Sequence, residues 1–368
     1  MGEIDKVLRM VQRKKILIIN VNWIGDVIFS TPFIRAVRAA YPQAFIACLV
    51  HPRCAEMLKG SPRLDEVIIY DEEGIHKSLA GKLRLIAALR KRRFDTAFML
   101  HRSFTKAAIT LLALIRERIG YPTKHRGIVL TNSVELRPAQ AHKVEYFLDI
   151  ARAAGIKVDD ASYEFFIRDG DRKVIDDFLR ENNIGEKKPF VVLCPGGNWD
   201  PKRWPAENFA VLGDMLAERA GLKVVISGSA KDAALADSIK NAMRHDAVIS
   251  CSRTSLKTLG ALFERSSLVV ANDTGPMHLA VAMKANVVAL FGPTSPDLTG
   301  PYGNGNYRVI WKMGKNSAPS RPETVRGCEV PCYDFSCTGN RCMALITPED
   351  VFKEAREMLS KAGINADK

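Results

Sequence analysis

The stretch that most constrains how this chain folds runs from Ser266 to Pro293, S-S-L-V-V-A-N-D-T-G-P-M-H-L-A-V-A-M-K-A-N-V-V-A-L-F-G-P. An apolar run from Leu268 to Ala271 stops at a polar turn, and an apolar-periodic segment then leads to a second apolar run, Val287 to Phe291. The pattern predicts a strand, a tight turn, a helix and a second strand parallel to the first. Such units are the repeating element of α/β folds.

The turn in this unit has the residues of an anion site. Together with the start of the helix it consists of Asp273, Thr274, Gly275, Pro276, Met277 and His278. The Asp or Thr can cap the helix, the glycine lets a ligand approach the backbone, and the proline suits the first helical turn. We therefore expect free N–H groups to point at an anion above the strand. An ordinary capped unit without a ligand would show the same residues, so the turn alone does not fix a function.

Strands and helices alternate along the whole chain, which at 368 residues is long enough for two domains. The periodicity fades around 161–173, and we place the domain boundary there. The alternation predicts two doubly wound parallel-sheet domains in tandem, at 1–168 and 169–346. A helix within 347–368 is expected to fold back across them.

Composition is typical of a globular protein, with 47% hydrophobic and 26% charged residues. No run of 18 apolar residues is present, and residues 1–15 lack the apolar segment of a signal peptide, so we expect a cytoplasmic protein. The net charge is +13, and residues 1–168 hold 28 Lys and Arg against 17 Asp and Glu. Such a surface attracts nucleic acid, anionic lipid or a phosphorylated substrate, although a solvated helix face also carries such charge. Because no nucleic-acid recognition motif accompanies it, we expect no nucleic-acid partner.

Three further turns follow strands, where ligands bind in doubly wound folds. The first, N-W-I-G-D-V, places Asp26 at a helix start, where it is either a candidate base or a helix N-cap. Its single glycine falls short of the three that a dinucleotide fingerprint needs. Another turn, S-G-S-A-K-D, offers Asp232 either to ribose hydroxyls or to the helix dipole.

The remaining turn, C-P-G-G-N-W-D-P-K-R-W-P, has the composition of a diphosphate cradle without a Walker pattern. Backbone N–H groups, a side-chain amide and two cations come together in it, from Gly196, Gly197, Asn198, Lys202 and Arg203. A surface loop with incidental charges is the alternative interpretation.

Three of these motifs in this order, N-W-I-G-D-V, P-G-G-x-W-x-P-K-R-W-P and N-D-T-G-P-M-H-L-A with a trailing F-G-P-T, resemble glycosyltransferase family 9, the ADP-heptose:lipopolysaccharide heptosyltransferases. The similarity covers roughly Lys15 to Ala355. It implies a GT-B fold, in which two Rossmann-like domains face a cleft. It also implies an ADP-heptose donor bound mainly by the second domain and an anionic, lipid-anchored acceptor of the lipid A/Kdo type on the first, at the inner face of the cytoplasmic membrane.

The resemblance also implies roles for single residues. Asp26 matches the proposed general base, Lys202 matches the lysine that contacts the donor diphosphate, and the donor-binding loop corresponds to Asp273, Thr274, Gly275 and His278. Where other family members offer hydroxyl side chains to the diphosphate, this chain has Gly197 and Asn198, whose backbone N–H groups could substitute.

The chemistry fits the residues independently, because displacing ADP needs a base and stabilisation of the leaving diphosphate. Asp26 can supply the first, and Lys202, Arg203 and a helix N-terminus the second. No carboxylate cluster with divalent-metal spacing stands near the turns, so we expect inverting transfer without a metal or cofactor. The alternatives are a GT-B enzyme with another nucleotide sugar, a sugar-nucleotide epimerase, and a non-catalytic anion-binding protein.

Eight cysteines fall into two groups. Four are scattered and are expected to be small buried apolar residues, Cys48, Cys54, Cys194 and Cys251. The other four form C-x3-C-x4-C-x4-C, at Cys328, Cys332, Cys337 and Cys342. Four thiols could hold zinc, but the spacing lacks C-x2-C pairs, which favours free or redox-active thiols.

Overall fold

A computed structural model describes residues 14–136, 141–185, 188–314, 328, 330–332, 337 and 340–366. The chain divides into two compact units, Met1–Phe166 and Ile167–Lys368. Each unit contains a six-stranded parallel sheet with helices packed on it, as the alternating pattern predicts.

In the first unit the sheet order is β3-β2-β1-β4-β5-β6. The strands are β1 Lys15–Ile19, β2 Phe45–Val50, β3 Glu66–Ile69, β4 Thr96–Met99, β5 Glu117–Gly120 and β6 Asn132–Ser133. The helices are α1 Ile24–Phe29, α2 Thr31–Ala40, α3 Pro52–Leu58, α4 Leu79–Arg92, α5 Phe104–Leu112 and α6 Lys143–Ala153, with a 3-10 turn at Arg126–Val129. Leu17 of β1 lies beside Ala47 on one side and Ala97 on the other, and all three are fully buried. Strands buried on both faces explain the continuous apolar runs of the sequence.

The sequence predicts one helix from Val27 to Ala40, but the structure divides it at Ser30. Pro32 has no N–H to donate to the carbonyl of Ile28, and the Thr31 hydroxyl donates to that carbonyl instead, at 2.8 Å. The break therefore follows from the proline, which the periodicity alone does not reveal.

In the second unit the sheet order is β12-β11-β10-β7-β8-β9. The strands are β7 Phe190–Cys194, β8 Lys223–Ile226, β9 Ala247–Ile249, β10 Leu268–Asn272, β11 Val287–Phe291 and β12 Tyr307–Trp311. The helices are α7 Asp169–Glu181, α8 Ala206–Ala220, α9 Ala233–Ala242, α10 Leu256–Arg265, α11 Gly275–Ala282, α12 Pro296–Thr299, α13 Arg341–Ala344 and α14 Pro348–Lys361, with 3-10 turns at Asp200–Lys202 and Ala230–Asp232. Helix α14 packs against α8 and lies over the strands β10, β11 and β12 of this unit.

The predicted strand, turn, helix and strand around Ser266–Pro293 are present as β10, α11 and β11. Val270 of β10 pairs in parallel with Val288 of β11 and Leu193 of β7, and all three side chains are fully buried. No helix in the described part of the chain combines the length and the apolar character that a membrane span requires.

Candidate active site

In the second unit, three of the turns singled out from the sequence converge at one edge of the sheet. They follow β7, β8 and β10, which are neighbours, and the chain reverses its direction across the sheet between β7 and β10. In doubly wound folds a crevice opens at this reversal, outside the carboxyl ends of the strands. The order of the strands therefore brings the three turns together.

An ion pair between a partly exposed lysine and a buried carboxylate joins two of these turns. The Lys202 ammonium lies 2.6 Å from a carboxylate oxygen of Asp273, whose side chain is only 5% exposed, and the Thr294 hydroxyl donates to the same oxygen at 2.7 Å. Lys202 itself is 24% exposed, so its charge is held near the surface of the turn. Asp273 thus fixes the position of a cation that solvent and a ligand can still reach.

Close packing around Asp232 explains why positions 196 and 228 are glycine. A side chain on Gly196 would begin 2.7 Å from the Asp232 carboxylate, and one on Gly228 would begin 2.7 Å from the Asp232 Cβ. Ser229 donates to the same carboxylate through its backbone N–H at 2.8 Å and its hydroxyl at 2.7 Å. The carboxylate therefore lies directly beside the turn that follows β7.

Asn272 is a structural residue of the site that sequence reasoning missed. It is fully buried at the end of β10. Its side-chain NH₂ donates to the Pro195 carbonyl at 2.8 Å, and its side-chain oxygen accepts from the backbone N–H of Trp204 at 3.2 Å. It ties both ends of the cradle to β10. The sequence signal that could have identified it is an amide side chain at the end of an apolar run, because a polar group buried there must find hydrogen-bond partners.

Two other residues act differently from the expectation. Arg203 donates twice to the Gly197 carbonyl, at 2.6 and 3.0 Å, and pairs with Asp200 at 2.9 Å, so it braces the turn where we expected it to offer charge to a ligand. Thr274 occupies the N-cap position of α11, but its side chain makes no capping bond and instead donates to the Asn272 carbonyl.

The start of α11 is otherwise as the sequence predicts. Gly275 and Pro276 open the helix and are partly accessible, whereas Met277 is fully buried. His278 is 4% exposed, and its Nε2 lies 3.9 Å from an Asp273 oxygen, so it faces the inner side of the ion pair. Asn198 is exposed on the cradle turn. The side chains of Met277 and His278 are thus part of the packing, and the accessible groups are on the turn.

In the first unit Asp26 lines a cavity of about 230 Å³ at the carboxyl ends of β1 and β4. The cavity is lined by Val21, Asn22, Trp23, Asp26, Leu100, His101, Arg102, Lys143, Tyr146 and Phe147. Trp23 holds the N-cap position of α1, so the interpretation of Asp26 as a helix N-cap is wrong. Its carboxylate is 21% exposed and lies 3.3 Å from the Lys143 ammonium. A carboxylate with a cation beside it therefore faces the cavity.

A polar network around the buried Lys106 supports the wall of this cavity. Lys106, only 2% exposed, donates to Asn22 at 2.7 Å and lies 3.3 Å from Glu72. Burial lowers the pKa of Lys106, with Glu72 acting in the opposite direction. Burial would raise the pKa of Glu72, but the Lys106 charge and the Asn22 hydrogen bond bring it below its ordinary value. Each member of the network is thereby satisfied, which rigid polar clusters require.

His101 is a neutral polar group in the wall. Burial and then the Lys106 charge lower the pKa of His101 to about 4, and its Nδ1 accepts the Ser103 N–H at 3.0 Å. The Arg102 guanidinium stacks over the Tyr146 ring at 4.6 Å and donates to its hydroxyl. Sequence reasoning missed both, although they follow the apolar run at 96–100, the same signal that identified the other turns.

The prediction that the four scattered cysteines are buried is confirmed. Cys48, Cys54, Cys194 and Cys251 are buried. Of the second group, Cys332 donates its N–H to the Pro293 carbonyl at 2.7 Å, and burial raises the pKa of Cys342 to about 11. Within the described residues no three His, Cys, Asp or Glu side chains are arranged to hold a metal ion.

Comparison with known proteins agrees with these motifs. The sequence model of glycosyltransferase family 9 (heptosyltransferase) matches residues 82–333. Lipopolysaccharide heptosyltransferase 2 of Escherichia coli K12 is 30% identical over 358 residues, which cover 94% of this chain and 98% of that protein.

Two solved structures resemble nearly the whole chain. A family 9 glycosyltransferase from Veillonella parvula superposes with a TM-score of 0.84 at 23% identity, covering 95% of this chain and 98% of the other. The E. coli ADP-heptose LPS heptosyltransferase II gives a TM-score of 0.77 at 26% identity, covering 95% and 99%. The two Rossmann-like units thus form a GT-B fold, and with the family model matching more than half of its length the chain belongs to glycosyltransferase family 9, the heptosyltransferases.

Proposed function

We propose that this glycosyltransferase moves heptose from ADP-heptose to the inner core of lipopolysaccharide, with inversion at the anomeric carbon and without a metal ion. The relatives named above support the donor and the acceptor, because one is a lipopolysaccharide heptosyltransferase and the other an ADP-heptose LPS heptosyltransferase. The first unit takes the acceptor and the second unit takes the nucleotide sugar.

One observation carries the proposed mechanism: the Asp26 carboxylate faces a cavity large enough for part of a sugar, with Lys143 beside it at 3.3 Å. An acceptor hydroxyl in this cavity would lose its proton to Asp26 as its oxygen forms the new bond to the anomeric carbon. A positioned base of this kind contributes about 10²- to 10⁴-fold in rate.

The leaving diphosphate requires positive charge and N–H donors. Lys202 supplies the charge, and the backbone of the cradle turn and the opening of α11 supply the donors. The proposed donor-binding residues are Gly196, Gly197, Asn198, Lys202, Asp232, Asp273, Thr274, Gly275, Pro276, Met277 and His278. Asp232 takes the ribose hydroxyls, since a carboxylate beside Gly196 lies next to the diphosphate turn. For Met277 and His278 the role is limited to the backbone and to support of Asp273, because both side chains are buried.

A lipopolysaccharide acceptor carries its own lipid anchor. We therefore place the reaction at the inner face of the cytoplasmic membrane, with the enzyme bound peripherally. The basic character of residues 1–168 supports this placement.

The direct test is transfer by the purified protein, with a panel of ADP- and UDP-sugars and truncated core acceptors, followed by mass spectrometry of the acceptor and by NMR of the new linkage. ADP-heptose should be used and ADP released, with the anomeric configuration of the donor inverted and with full activity in a chelator. Transfer from a UDP-sugar alone would refute the proposed donor. A chelator-sensitive activity that added divalent metal restores would refute metal independence.

A further inference from the structure

Helix α5 is apolar on the side that does not face the sheet. Its inner residues Ala107 and Ile109 are buried in the core, while Phe104 is 42% and Leu112 is 55% exposed on the opposite side. Leu111 and, just beyond the helix, Leu114 are exposed as well. A surface helix ordinarily presents polar residues to water, whereas the outer side of α5 presents large apolar side chains.

The elements packed against α5 extend this apolar surface. The 3-10 turn Arg126–Val129 presents Ile128, which is 84% exposed, and α4 presents Leu79 and Leu83, one helical turn apart. We call the outer sides of α4, α5 and this 3-10 turn the α5 face. Large apolar side chains that are scattered singly need no explanation, but a group on three adjoining elements does.

The chain around the α5 face is strongly basic. Residues 74–134 hold thirteen Lys and Arg against two Asp and Glu. Both acids are already engaged, Asp95 by the backbone N–H of Lys15 at 2.7 Å and Glu117 by the Thr96 hydroxyl at 2.6 Å and the Lys14 ammonium at 3.7 Å. Most of the excess positive charge of the first 168 residues therefore comes from this one segment.

Several of these cations have no counter-charge. Within the described ranges no ion pair involves Arg84, Arg90, Lys91, Arg116 or Lys124. They lie on α4, just after α5 and just before the 3-10 turn, and all are exposed. Unpaired cations around an apolar surface match the chemistry of an anionic lipid headgroup layer above an acyl interior.

The α5 face also adjoins the cavity that contains Asp26. Arg102 lines that cavity, and the next residue, Ser103, caps the start of α5 at Phe104. Arg126 of the 3-10 turn donates to the carbonyl of His101, another residue of the cavity wall. A lipid-anchored acceptor would thus have its anchor and its sugar on contiguous parts of the first unit.

We propose that the α5 face docks on an anionic lipid bilayer, with Phe104, Leu112 and Ile128 entering the interfacial layer and the surrounding cations contacting the headgroups. With nine residues and a length of about 14 Å, α5 is too short to cross the bilayer and would lie in its plane. A second copy of the chain is a poorer occupant, because a two-fold interface would set this cationic surface against itself. The proposal rests on the proposed function for its reason, a membrane-bound acceptor, but its test does not need catalysis.

The test is sedimentation of the full chain with vesicles of phosphatidylcholine alone or of phosphatidylcholine with about 30 mol% phosphatidylglycerol, whose anionic headgroups give the vesicle a negative surface potential. Leu112→Glu/Ile128→Glu should weaken binding to the anionic vesicles at least tenfold. The matched control Val174→Glu/Val211→Glu changes two exposed apolar residues of the second unit and should bind as the wild type does. Binding that is equal for both double variants would overturn the proposal.

Two further measurements separate the possible outcomes. If light scattering shows a dimer that Leu112→Glu/Ile128→Glu dissociates while vesicle binding persists, the α5 face is a protein interface and the proposal is wrong. Transfer to a delipidated, water-soluble acceptor should be unchanged in that variant. A wild type that binds anionic vesicles but transfers no sugar to either acceptor would remove the proposed function and leave the docking face in place. If the double variant fails to fold, Ile128→Glu alone, at the most exposed of these positions, should still weaken vesicle binding several-fold.

Discussion

Replacing Lys202 with methionine should destabilise the second unit and weaken ADP binding together. The change leaves the Asp273 carboxylate, 5% exposed, without the cation that now lies 2.6 Å away. Breaking a fully buried pair costs about 3–5 kcal/mol, but Lys202 is a quarter exposed and solvent screens part of the interaction, so we expect a loss of about 2 kcal/mol. For a unit of about 200 residues this lowers the melting temperature by roughly 4–8 °C.

The double variant Lys202→Met/Asp273→Asn separates the two effects. Removing the buried charge with its partner should restore part of the stability, giving a coupling of about 1 kcal/mol or more in the double-mutant cycle. ADP binding should not return, since a charge-assisted contact to phosphate is worth about tenfold to a hundredfold in affinity. Thermal unfolding and ADP calorimetry on the four proteins measure both.

The control is Lys240→Met, which removes an exposed pair with Asp246 at 3.2 Å and should change stability by less than about 0.5 kcal/mol. Additive single effects in the cycle would show that Asp273 does not hold Lys202 in solution. Unchanged ADP affinity in Lys202→Met would remove Lys202 from the donor site.

Two more outcomes are expected. Gly196→Ala should weaken ADP binding at least tenfold by calorimetry, because its methyl group would begin 2.7 Å from the Asp232 carboxylate. The control Gly170→Ala, with open space around it, should bind ADP as the wild type does. Equal ADP affinities of the two variants would contradict the arrangement of Gly196 and Asp232. The pKa of His101 is lowered to about 4, so the unfolded chain takes up a proton that the folded one does not between about pH 6.5 and 4, and stability should fall as pH falls through that window. The urea midpoints of unfolding at pH 7 and pH 5 should differ less in His101→Gln than in the wild type. The control His125→Gln, at an exposed site, should keep the wild-type difference. An unchanged difference in His101→Gln would refute His101 as a source of the pH dependence.

The sequence predicted most of the fold because parallel strands buried on both faces appear as continuous apolar runs, such as Val287–Phe291. It was less informative where the pattern is weaker. Helix α7 begins within the stretch where periodicity fades, and the edge strand β12 mixes Arg308 with apolar residues, so neither element was predicted. Both elements owe their stability to tertiary packing, which a local pattern does not report.

The candidate site was predicted only where one turn held several special residues. Gly196, Lys202 and Asp273 stood out because glycine, cation and carboxylate follow strand ends. Lys143 and His101 did not, because each is an ordinary residue until folding brings it beside Asp26 or buries it. Long-range proximity of this kind is set by the order of strands in the sheet, and spacing along the chain does not encode it.

Single-turnover transfer by Asp26→Asn is the most direct test of whether Asp26 takes the acceptor's proton. The variant keeps the size of the side chain and its hydrogen bonding but loses the base, and Asp159→Asn, at an exposed carboxylate of the same unit, is its control. We expect a rate about 10²- to 10⁴-fold lower for Asp26→Asn, with ADP affinity and melting temperature close to those of the wild type and of the control. A transfer rate within a few-fold of the wild type, in a protein that folds normally, would contradict the mechanism.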